Sequence, residues 1–536
     1  MIADPAAALD RIFAPWSAPD APGASVALLQ GGEVVVHRCY GAASIEHGLP
    51  TAPDGRFHVA SITKTFCAAA LVRLANEGRV SLDDAIRAHV PELRTPGPIS
   101  LRRLLSMTSG LRDSGEVMRL RGVWYRQPRT MQDQIDLLCA QSGMSFPTGE
   151  RFIYTNVNFM LATRVIERVT GMGFEAHLRQ AFLDPLGMTD TLLREDDELV
   201  VPRLATPYVP QPGGPPTLGR WAFGFGGAGS MVSSVADLVR WLAFLRATPD
   251  LLGPMRERAM LNDGTPVNYG LGLQIRRWRG LTVLGHGGSL PGWRAYAALV
   301  PDRDMGLVLL TNRDDADPDT KVREILDAVL GGEIPDPHPH AAAAIRAHPA
   351  AVPAIDGLYL DQGSGEVLRL QAKEGRIEGE KLGIVHQFTP DAHGDGFADA
   401  WPLMPARLRL EPAADGGRPT AHLWYAGQTG AYAPLETVAS PDLADLVGTY
   451  ANAELRSEVV ISNRGGQMHV HYGPAFHGAS GAPAIAVAPD VFWVRVTTPG
   501  LRYEHAVRFR RDGGRVTAVV ISSDRVKDVP FDRVSP

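Results

Sequence analysis

A change of composition near residue 333 limits the folds open to this chain more than any other feature of its sequence. Residues 1–332 alternate helical and strand periodicity, whereas after residue 353 short alternating runs separated by glycine turns replace the helical patterns. Residues 333–353 are rich in proline and alanine, a composition typical of interdomain linkers. We therefore predict one domain over 1–332, a linker over 333–353 and all-β structure beyond it.

The first domain is predicted to be an α+β structure, with an antiparallel sheet flanked by helices. Gly31 and Gly32 form a two-residue turn between β-rich runs, which predicts a hairpin of Ala24–Gln30 and Glu33–Cys39. Further strands are predicted at Gly272–Arg276, Leu281–Leu284, Tyr296–Val300 and Gly306–Thr311. Helices are predicted at Ser61–Asn76, Val157–Val169, Val235–Ala247 and Lys321–Leu330. Strand signals at both ends of the domain predict one sheet built from both ends.

A weak internal repeat predicts two similar antiparallel β-barrels after the linker, over residues 354–440 and 441–536. The segment Ile355-Asp356-Gly357-Leu358-Tyr359 recurs as Leu446-Val447-Gly448-Thr449-Tyr450. Each copy opens a β-rich stretch about as long as one small domain.

Ser61 and Lys64 are separated by one helical turn at the start of an apolar helix. This spacing puts a hydroxyl and an amine on the same helix face. A serine hydroxyl is a poor nucleophile unless a base takes its proton, and a lysine desolvated among apolar neighbours can be that base. A single Ser-x-x-Lys occurs by chance in a chain this long, so the pair needs support from other motifs.

Two further segments carry groups suited to the same chemistry. Tyr154 and Asn156 lie on a loop before a helix. An adjacent ammonium is expected to lower the pKa of the Tyr154 phenol, so that this group can relay a proton. The Asn156 amide can orient the lysine or bind the substrate. His286-Gly287-Gly288-Ser289 follows a strand, and its glycines allow a substrate backbone to approach closely. The N–H groups of Ser61 and Ser289 are predicted to form an oxyanion hole.

The order Ser-x-x-Lys, Tyr-x-Asn, His-Gly-Gly resembles that of the penicillin-recognising serine hydrolases. These include class C β-lactamases, D-alanyl-D-alanine carboxypeptidases and related esterases and peptidases. Gly226–Met231 and Gly285–Trp293 also look like segments of this family. The resemblance covers residues 1 to about 332. It implies that Ser61, Lys64, Tyr154, Asn156 and His286 form the catalytic site of a class C β-lactamase-like domain.

Histidine in the third motif departs from the β-lactamase pattern, which has lysine there as part of a site for a substrate carboxylate. Imidazole is mostly neutral at pH 7, so recognition of a carboxylate should be weaker here. Arg294 is one candidate for a replacement cation, although a surface arginine explains it equally well.

Histidine at this position together with two β-domains resembles the D-aminopeptidase subgroup, which removes an N-terminal D-residue, with glycine or D-alanine favoured. In that subgroup a loop of the last β-domain reaches into the catalytic cleft and occupies the far side of the substrate pocket. The matching segment here consists of Phe476, His477, Gly478, Ala479, Ser480, Gly481, Ala482, Pro483, Ala484, Ile485 and Ala486.

The segment 476–486 lacks the acidic residue that relatives can place there for a substrate ammonium, since Ser480 stands near that position. Dipoles such as Ser480, Asn268 or carbonyl groups are the alternatives for holding the amine, and a different substrate is a further alternative. A D-amino-acid amidase, a D-peptide esterase and a carboxypeptidase therefore stay open as alternatives. A penicillin-binding sensor that acylates without turnover is a further alternative from another class.

Composition and motifs argue against several other classes. The formal net charge of −6 offers no basic surface for nucleic acid or membrane lipid, and no apolar run is long enough to span a bilayer. We find neither Gly-x-Ser-x-Gly nor His-Glu-x-x-His, and we predict no metal or other cofactor. Three scattered cysteines and a start without signal-peptide features favour the cytoplasm. The partners expected are a small peptide with an N-terminal D-residue, β-lactams as candidate inhibitors, and a second copy in a homodimer.

Overall fold

The computed structural model describes residues 4–334, 355–373, 376–381, 384–390, 396–399, 406–425, 428–435, 442–473, 481–498 and 501–535. The predicted linker lies almost wholly outside this set, as do residues 476–480 of the predicted cleft loop. None of the helices in these ranges is long and apolar enough to cross a membrane.

A sheet of six antiparallel strands lies at the centre of the first domain and combines both ends of it, as predicted. The strands of this domain are β1 Ala24–Gln30, β2 Glu33–Tyr40, β3 Ala42–Ser44, β4 Leu49–Pro50, β5 Arg56–His58, β6 Leu192–Leu193, β7 Tyr208–Gln211, β8 Gly214–Leu218, β9 Met231–Ser234, β10 Gln274–Trp278, β11 Leu281–Leu290, β12 Trp293–Val300 and β13 Met305–Thr311. The central sheet has the order β10-β11-β12-β13-β1-β2. Its β1–β2 hairpin turns at Gly31 and Gly32, which both have positive φ.

Helices cover both faces of this sheet. They are α1 Pro5–Phe13, α2 Thr63–Asn76, α3 Ile86–His89, α4 Leu101–Leu105, α5 Ser114–Leu120, α6 Met131–Cys139, α7 Val157–Thr170, α8 Phe174–Leu178, α9 Val235–Ala247, α10 Pro249–Arg256 and α11 Pro318–Leu330. Alternation along β1 sends Val26 and Leu28 to the core shared with α1 and α11. Ala27 and Leu29 point to the core that contains α2 and α9. The first domain is therefore a three-layer structure with α2 buried on the inner face.

Two closed barrels of eight antiparallel strands follow, which confirms the predicted fold class. The first contains β14 Gly357–Leu360, β15 Val367–Lys373, β16 Arg376–Lys381, β17 Ile384–Pro390, β18 Phe397–Asp399, β19 Ala406–Glu411, β20 Thr420–Tyr425 and β21 Gln428–Pro434. The second contains β22 Gly448–Asn452, β23 Ser457–Arg464, β24 Gln467–Tyr472, β25 Ala482–Ala488, β26 Val491–Thr498, β27 Leu501–Asp512, β28 Arg515–Ser522 and β29 Val529–Ser535.

The five-residue repeat marks the same position in both barrels. In the first, the buried Tyr359 donates its hydroxyl hydrogen bond to the carbonyl of Ile355 at 2.9 Å. In the second, Tyr450 donates to the carbonyl of Leu446 at 2.8 Å. Each tyrosine ring also lies beneath an arginine guanidinium, 5.4 Å away in the first barrel and 5.8 Å in the second. The repeat is therefore a shared way of closing the start of each barrel.

The second barrel packs directly on the first domain, and their buried side chains form one continuous hydrophobic cluster. Gly122 has φ +74, and a Cβ there would lie 2.3 Å from the carbonyl oxygen of Tyr472. Ser457 donates a hydrogen bond to the Leu120 carbonyl at 2.7 Å, and the Ser142 N–H donates to Glu454 at 3.1 Å. These contacts hold the second barrel against the loops that follow α5 and α6.

The equivalence of the two tyrosines gives a test of the repeat. We expect Tyr359→Phe and Tyr450→Phe each to lower the free energy of unfolding of its own barrel by about 1 kcal/mol, because each leaves a buried carbonyl without its donor. Hydrogen exchange of the strand amides in the intact chain measures this loss barrel by barrel. Unchanged protection in either variant would contradict the shared role.

Candidate active site

Ser61 lies in a strained turn at the start of α2. The turn Ala60–Ile62 is a 3₁₀ helix, so the α-helix begins at Thr63 rather than at Ser61 as the periodicity predicts. Ala60 has φ +47, a left-handed conformation that is costly for a residue with a side chain. The turn places Ser61 at the cleft, where it lines the cavity described below.

Lys64 is fully buried one turn further along and makes three polar contacts. Its Nζ lies 2.8 Å from Oδ1 of Asn156, 2.5 Å from the carbonyl oxygen of Ala228 and 3.0 Å from Oγ of Ser61. Burial lowers the pKa of the Lys64 ammonium well below its ordinary value, and the nearby Arg525 lowers it further. A neutral amine has two N–H donors and one lone pair. The oxygens of Asn156 and Ala228 accept two N–H groups of Lys64, so the third position on its nitrogen faces the Ser61 hydroxyl.

Two glycines fix the Ala228 carbonyl that this arrangement needs. Gly226 and Gly227 precede it in a 3₁₀ turn packed between α2 and α7. A Cβ on Gly227 would lie 2.7 Å from both Sγ of Cys67 and Oγ1 of Thr163. The close approach turns the carbonyl of Ala228 toward Lys64.

Asp113 organises the loop that carries Tyr154 and Asn156. Its Oδ2 accepts hydrogen bonds from the Asn156 N–H at 2.9 Å and from the Thr155 hydroxyl at 3.0 Å. Its Oδ1 caps α5 by accepting from the Glu116 N–H at 3.1 Å. Asn156 opens α7 without using its side chain as a cap, which leaves the amide for Lys64. One buried carboxylate thus couples two walls of the site.

Tyr154 lies beside Ser61 and is hydrogen-bonded to it. The Lys64 Nζ is 4.9 Å from the centre of the Tyr154 ring, so the sequence correctly groups these residues. The predicted depression of the Tyr154 pKa is wrong. Burial raises it, and this outweighs the lowering by the Ser61 hydrogen bond and by Arg525. The carboxylate of Asp113 adds to this rise.

His286 is buried on β11, and both of its ring nitrogens are engaged. Nδ1 lies 2.6 Å from the carbonyl oxygen of Gly287, which can only accept, so Nδ1 carries the proton. Nε2 then accepts from the hydroxyl of Tyr269 at 3.0 Å. Burial, with the field of Lys64, lowers the pKa of His286 to about 3. His286 is therefore neutral, as predicted, and holds the end of the strand in place.

Gly288 lets β11 lie against the serine turn. A Cβ at this position would come within 2.1 Å of the carbonyl oxygen of Val59, two residues before Ser61. Gly287 is less confined, since its Cβ would meet the Tyr296 ring at 3.3 Å. Ser289 follows on the exposed edge of the strand and lines the cleft. The structure thus brings the His-Gly-Gly-Ser segment and Ser61 to one cleft.

All three domains line this cleft, whose cavity has a volume of about 1260 Å³. The first barrel contributes residues that include Lys381 and Tyr425. The second barrel contributes Asp524 and Arg525 from the loop between β28 and β29. The guanidinium of Arg525 lies 5.4 Å from the centre of the Tyr154 ring. Among the residues that the structure describes, this loop is the part of the second barrel that lies beside Tyr154.

The predicted cleft loop over 476–486 differs from the structure in its second half. Ala482–Ala486 form the beginning of β25, where Ala482 and Ala484 are buried while Pro483 and Ile485 are exposed. This alternation is that of a strand, and the small side chains fill the barrel interior rather than the cleft. Gly481 precedes the strand and does not line the cavity. Phe476–Ser480 fall outside the described residues.

Two other predicted contributors have structural roles. Arg294 lines the cleft but is paired with Asp314 at 2.9 Å, so it is not available as a replacement cation. Asn268 is buried and its side chain accepts a hydrogen bond from Arg258. Neither contacts the Ser61–Lys64 pair.

Sequence reasoning missed Asp113, Glu116, Asp524 and Arg525. The pattern Asp113-x-x-Glu116 is a helix-start signal that could have located α5. Nothing in the sequence around Asp524 and Arg525 links them to a site more than 350 residues earlier in the chain, because only the packing of the second barrel brings them there.

Comparisons with known proteins agree with this architecture. A family model described as Beta-lactamase matches residues 9–331. A D-aminopeptidase of Gluconobacter oxydans (strain 621H) is 29% identical over 535 residues, with 96% of each chain covered. The D-amino acid amidase of Ochrobactrum anthropi SV3, solved with L-phenylalanine amide, is 26% identical, with a TM-score of 0.53 over 61% of this chain and 98% of the amidase. An octameric penicillin-binding protein homologue from Pyrococcus abyssi shares the fold at 22% identity, with a TM-score of 0.56 over 80% of this chain and 99% of the homologue.

The contact between Gly288 and Val59 predicts a sharp effect of a single methyl group. Gly288→Ala should push β11 away from the serine turn and slow labelling of Ser61 by a fluorophosphonate about 10²-fold, because small displacements of positioned groups cost that much. Gly253→Ala is the control, since a Cβ there has no neighbour within 4 Å. Equal labelling rates in the two variants, with circular dichroism showing both folded, would contradict this role of Gly288.

Proposed function

The chain belongs to the Beta-lactamase family, and we propose that it is a serine aminopeptidase. It removes small N-terminal D-residues or glycine from peptides, amides or esters through an acyl-enzyme on Ser61. The observation that carries the proposal is the contact of 3.0 Å between the Nζ of Lys64 and the Oγ of Ser61, made by a buried amine whose pKa is lowered and which two carbonyl oxygens also bind.

Acylation begins when Lys64 takes the proton of Ser61 and the serine oxygen attacks the substrate carbonyl. The resulting oxyanion is held by backbone N–H groups, for which Ser61 and Ser289 are our candidates. Asn156 and the Ala228 carbonyl keep the new ammonium of Lys64 hydrogen-bonded. Because the positive charge forms next to the negative oxyanion, the two stabilise each other.

Breakdown of the tetrahedral intermediate needs a proton on the leaving nitrogen. Tyr154 is protonated at neutral pH, because burial raises its pKa, and its hydroxyl already contacts Ser61. It therefore serves as the general acid and is restored by the proton that Lys64 holds. Hydrolysis of the acyl-enzyme repeats these transfers with water in place of the leaving amine.

Two carboxylates in the cleft support a substrate with a free amine. Glu116 is buried at the cavity wall, with one oxygen bound to Arg119. Its Oε2 lies 3.9 Å from Nε2 of His505 and has no hydrogen-bond partner within the described residues. Asp524 faces the same cavity from the second barrel. These acids lie outside segment 476–486, so its lack of an acid does not remove the means of holding an ammonium.

Preference for D-residues is supported by the relatives rather than by a single contact. Both the 29%-identical D-aminopeptidase and the structurally similar D-amino acid amidase carry this stereochemistry in their names. The similarity to the solved amidase favours one alternative, in which this chain is a D-amino-acid amidase with the same acyl-enzyme chemistry. The homodimer and the cytoplasmic location stay predictions.

The proposal is tested with D-alanine p-nitroanilide, its L-isomer and its N-acetyl analogue. We expect turnover of the D-compound only, because the L-isomer misplaces its side chain and acetylation removes the ammonium that the carboxylates bind. Ser61→Ala and Lys64→Ala should each lower kcat by several orders of magnitude, and the double variant should be no worse, since the two residues act as one unit. Thr206→Ala, distant from Lys64 in the sequence and not lining the cavity, is the control.

Faster turnover of the N-acetyl compound would refute the aminopeptidase assignment. Near-normal activity of Ser61→Ala would refute the nucleophile. Turnover of D-alanine amide but of no D-alanyl peptide would favour the amidase.

A further inference from the structure

The loop between β28 and β29 carries a positive charge into the cleft from outside the first domain. We propose that Arg525 is the electrostatic partner of Tyr154: its guanidinium, placed by the second barrel, stabilises the phenolate that forms when Tyr154 gives its proton to the leaving nitrogen. This inference rests on the proposed serine-hydrolase function and adds a positioning residue to it.

The loop is held in place by all three domains. Lys527 bridges to the first barrel, where its Nζ lies 2.7 Å from Glu366, which also binds Lys381 at 2.7 Å. The Lys527 N–H donates to Oγ of Ser145 in the first domain at 3.3 Å, and Arg112 donates to the Asp528 carbonyl at 3.3 Å.

Contacts inside the loop add to this support. The Ser523 N–H donates to the Val526 carbonyl at 2.7 Å, and the Val526 side chain belongs to the core shared by the first domain and the second barrel. Asp528, at the end of the loop, has a left-handed backbone conformation with a φ of +50. Because both ends of the loop are fixed, Arg525 has little freedom to move away from Tyr154.

Arg525 remains positively charged at this position. Although burial opposes the charge, the carboxylates of Asp524, Asp113 and Glu116 raise the Arg525 pKa. Its Nε lies 3.3 Å from Asp524, and its side chain is 35% exposed toward the cleft. Of the charged groups that act on the Tyr154 hydroxyl, Arg525 lowers its pKa and so favours the phenolate, whereas Asp113 raises it. Tyr269 and His286 also pack around the Tyr154 ring, and the pKa of His286 is lowered to about 3.

The chemical step places a negative charge on the oxygen of Tyr154, whose ring centre lies 5.4 Å from the Arg525 guanidinium. The Ser61 proton passes to Lys64 as the Oγ–C bond forms. When the C–N bond breaks, its electron pair goes to nitrogen, which takes the Tyr154 proton and leaves a phenolate. The Lys64 ammonium then returns its proton to Tyr154. Arg525 lowers the free energy of the phenolate, so it accelerates the step that expels an amine.

Dependence on the leaving group distinguishes this role from a structural one. p-Nitroaniline must be protonated to leave, whereas p-nitrophenolate leaves without a proton. Arg525→Gln should therefore lower kcat on D-alanine p-nitroanilide roughly 10²-fold, the usual contribution of general acid catalysis, and lower acylation by D-alanine p-nitrophenyl ester only a few-fold. Arg525→Lys should restore most of the anilide activity, and Arg525→Met should resemble Arg525→Gln.

A second measurement does not depend on the substrate. Labelling of Ser61 by a fluorophosphonate requires neutral Lys64 and expels fluoride. Removing the positive charge of Arg525 raises the Lys64 pKa, so the acidic limb of the labelling rate should move to higher pH by about half a unit to one unit in Arg525→Gln and Arg525→Met. Arg510→Gln, an exposed arginine of the same barrel, is the control and should leave the limb unchanged.

Equal losses on anilide and ester together with an unmoved acidic limb would overturn the role of Arg525. An increase in KM with unchanged kcat on both substrates would also overturn it, because it would make Arg525 a binding residue. A wild-type protein that is labelled at Ser61 but turns over neither D-alanyl compound would refute the proposed substrate. The acidic limb of the pH dependence of Ser61 labelling would then test the role of Arg525 by itself.

Discussion

Burying an amine costs free energy unless the amine gives up its proton or finds hydrogen-bond partners. In this protein burial lowers the pKa of Lys64, and two carbonyl oxygens accept its N–H groups. Several features of the first domain serve this arrangement: the strained Ala60, the close packing at Gly227 and the Asn156 amide left free at the start of α7. In the proposed mechanism the reactivity of Ser61 depends on the lone pair of this amine.

Each of the three domains contributes different residues to the cleft. In the proposed mechanism the first domain holds the groups that exchange protons, because Ser61, Lys64 and Tyr154 must keep distances of a few ångströms. The second barrel adds Asp524 and Arg525, and the first barrel fixes their loop through Glu366 and Lys527. Both barrels therefore line the cleft, and among the described residues of the second barrel it is the β28–β29 loop that lies beside Tyr154.

A structural feature can be predicted from the sequence when the residues that determine it are close together in the chain. Ser61–Lys64 spacing, the β1–β2 turn and the Tyr359 and Tyr450 repeat are local, and the structure agrees with each of them. The raised pKa of Tyr154 follows from burial, to which Asp113 adds, and both depend on tertiary packing. Arg525 meets Tyr154 only through the docking of two domains, so no pattern along the chain could indicate it. The prediction that Ala482–Ala486 belong to a cleft loop was wrong because small residues suit such a loop and a crowded barrel interior equally well.

The central claim is that Lys64 is neutral at neutral pH, and the lysine content of the chain allows this to be measured directly. The sequence contains five lysines, so a protein labelled with ¹³Cε,¹⁵Nζ-lysine gives a simple spectrum that can be followed through a pH titration. Lys64→Met identifies the signal by its absence. We expect the Lys64 signal to titrate well below the ordinary lysine range of about 10.4, while exposed lysines titrate near it. A Lys64 signal that titrates with the others would contradict the account.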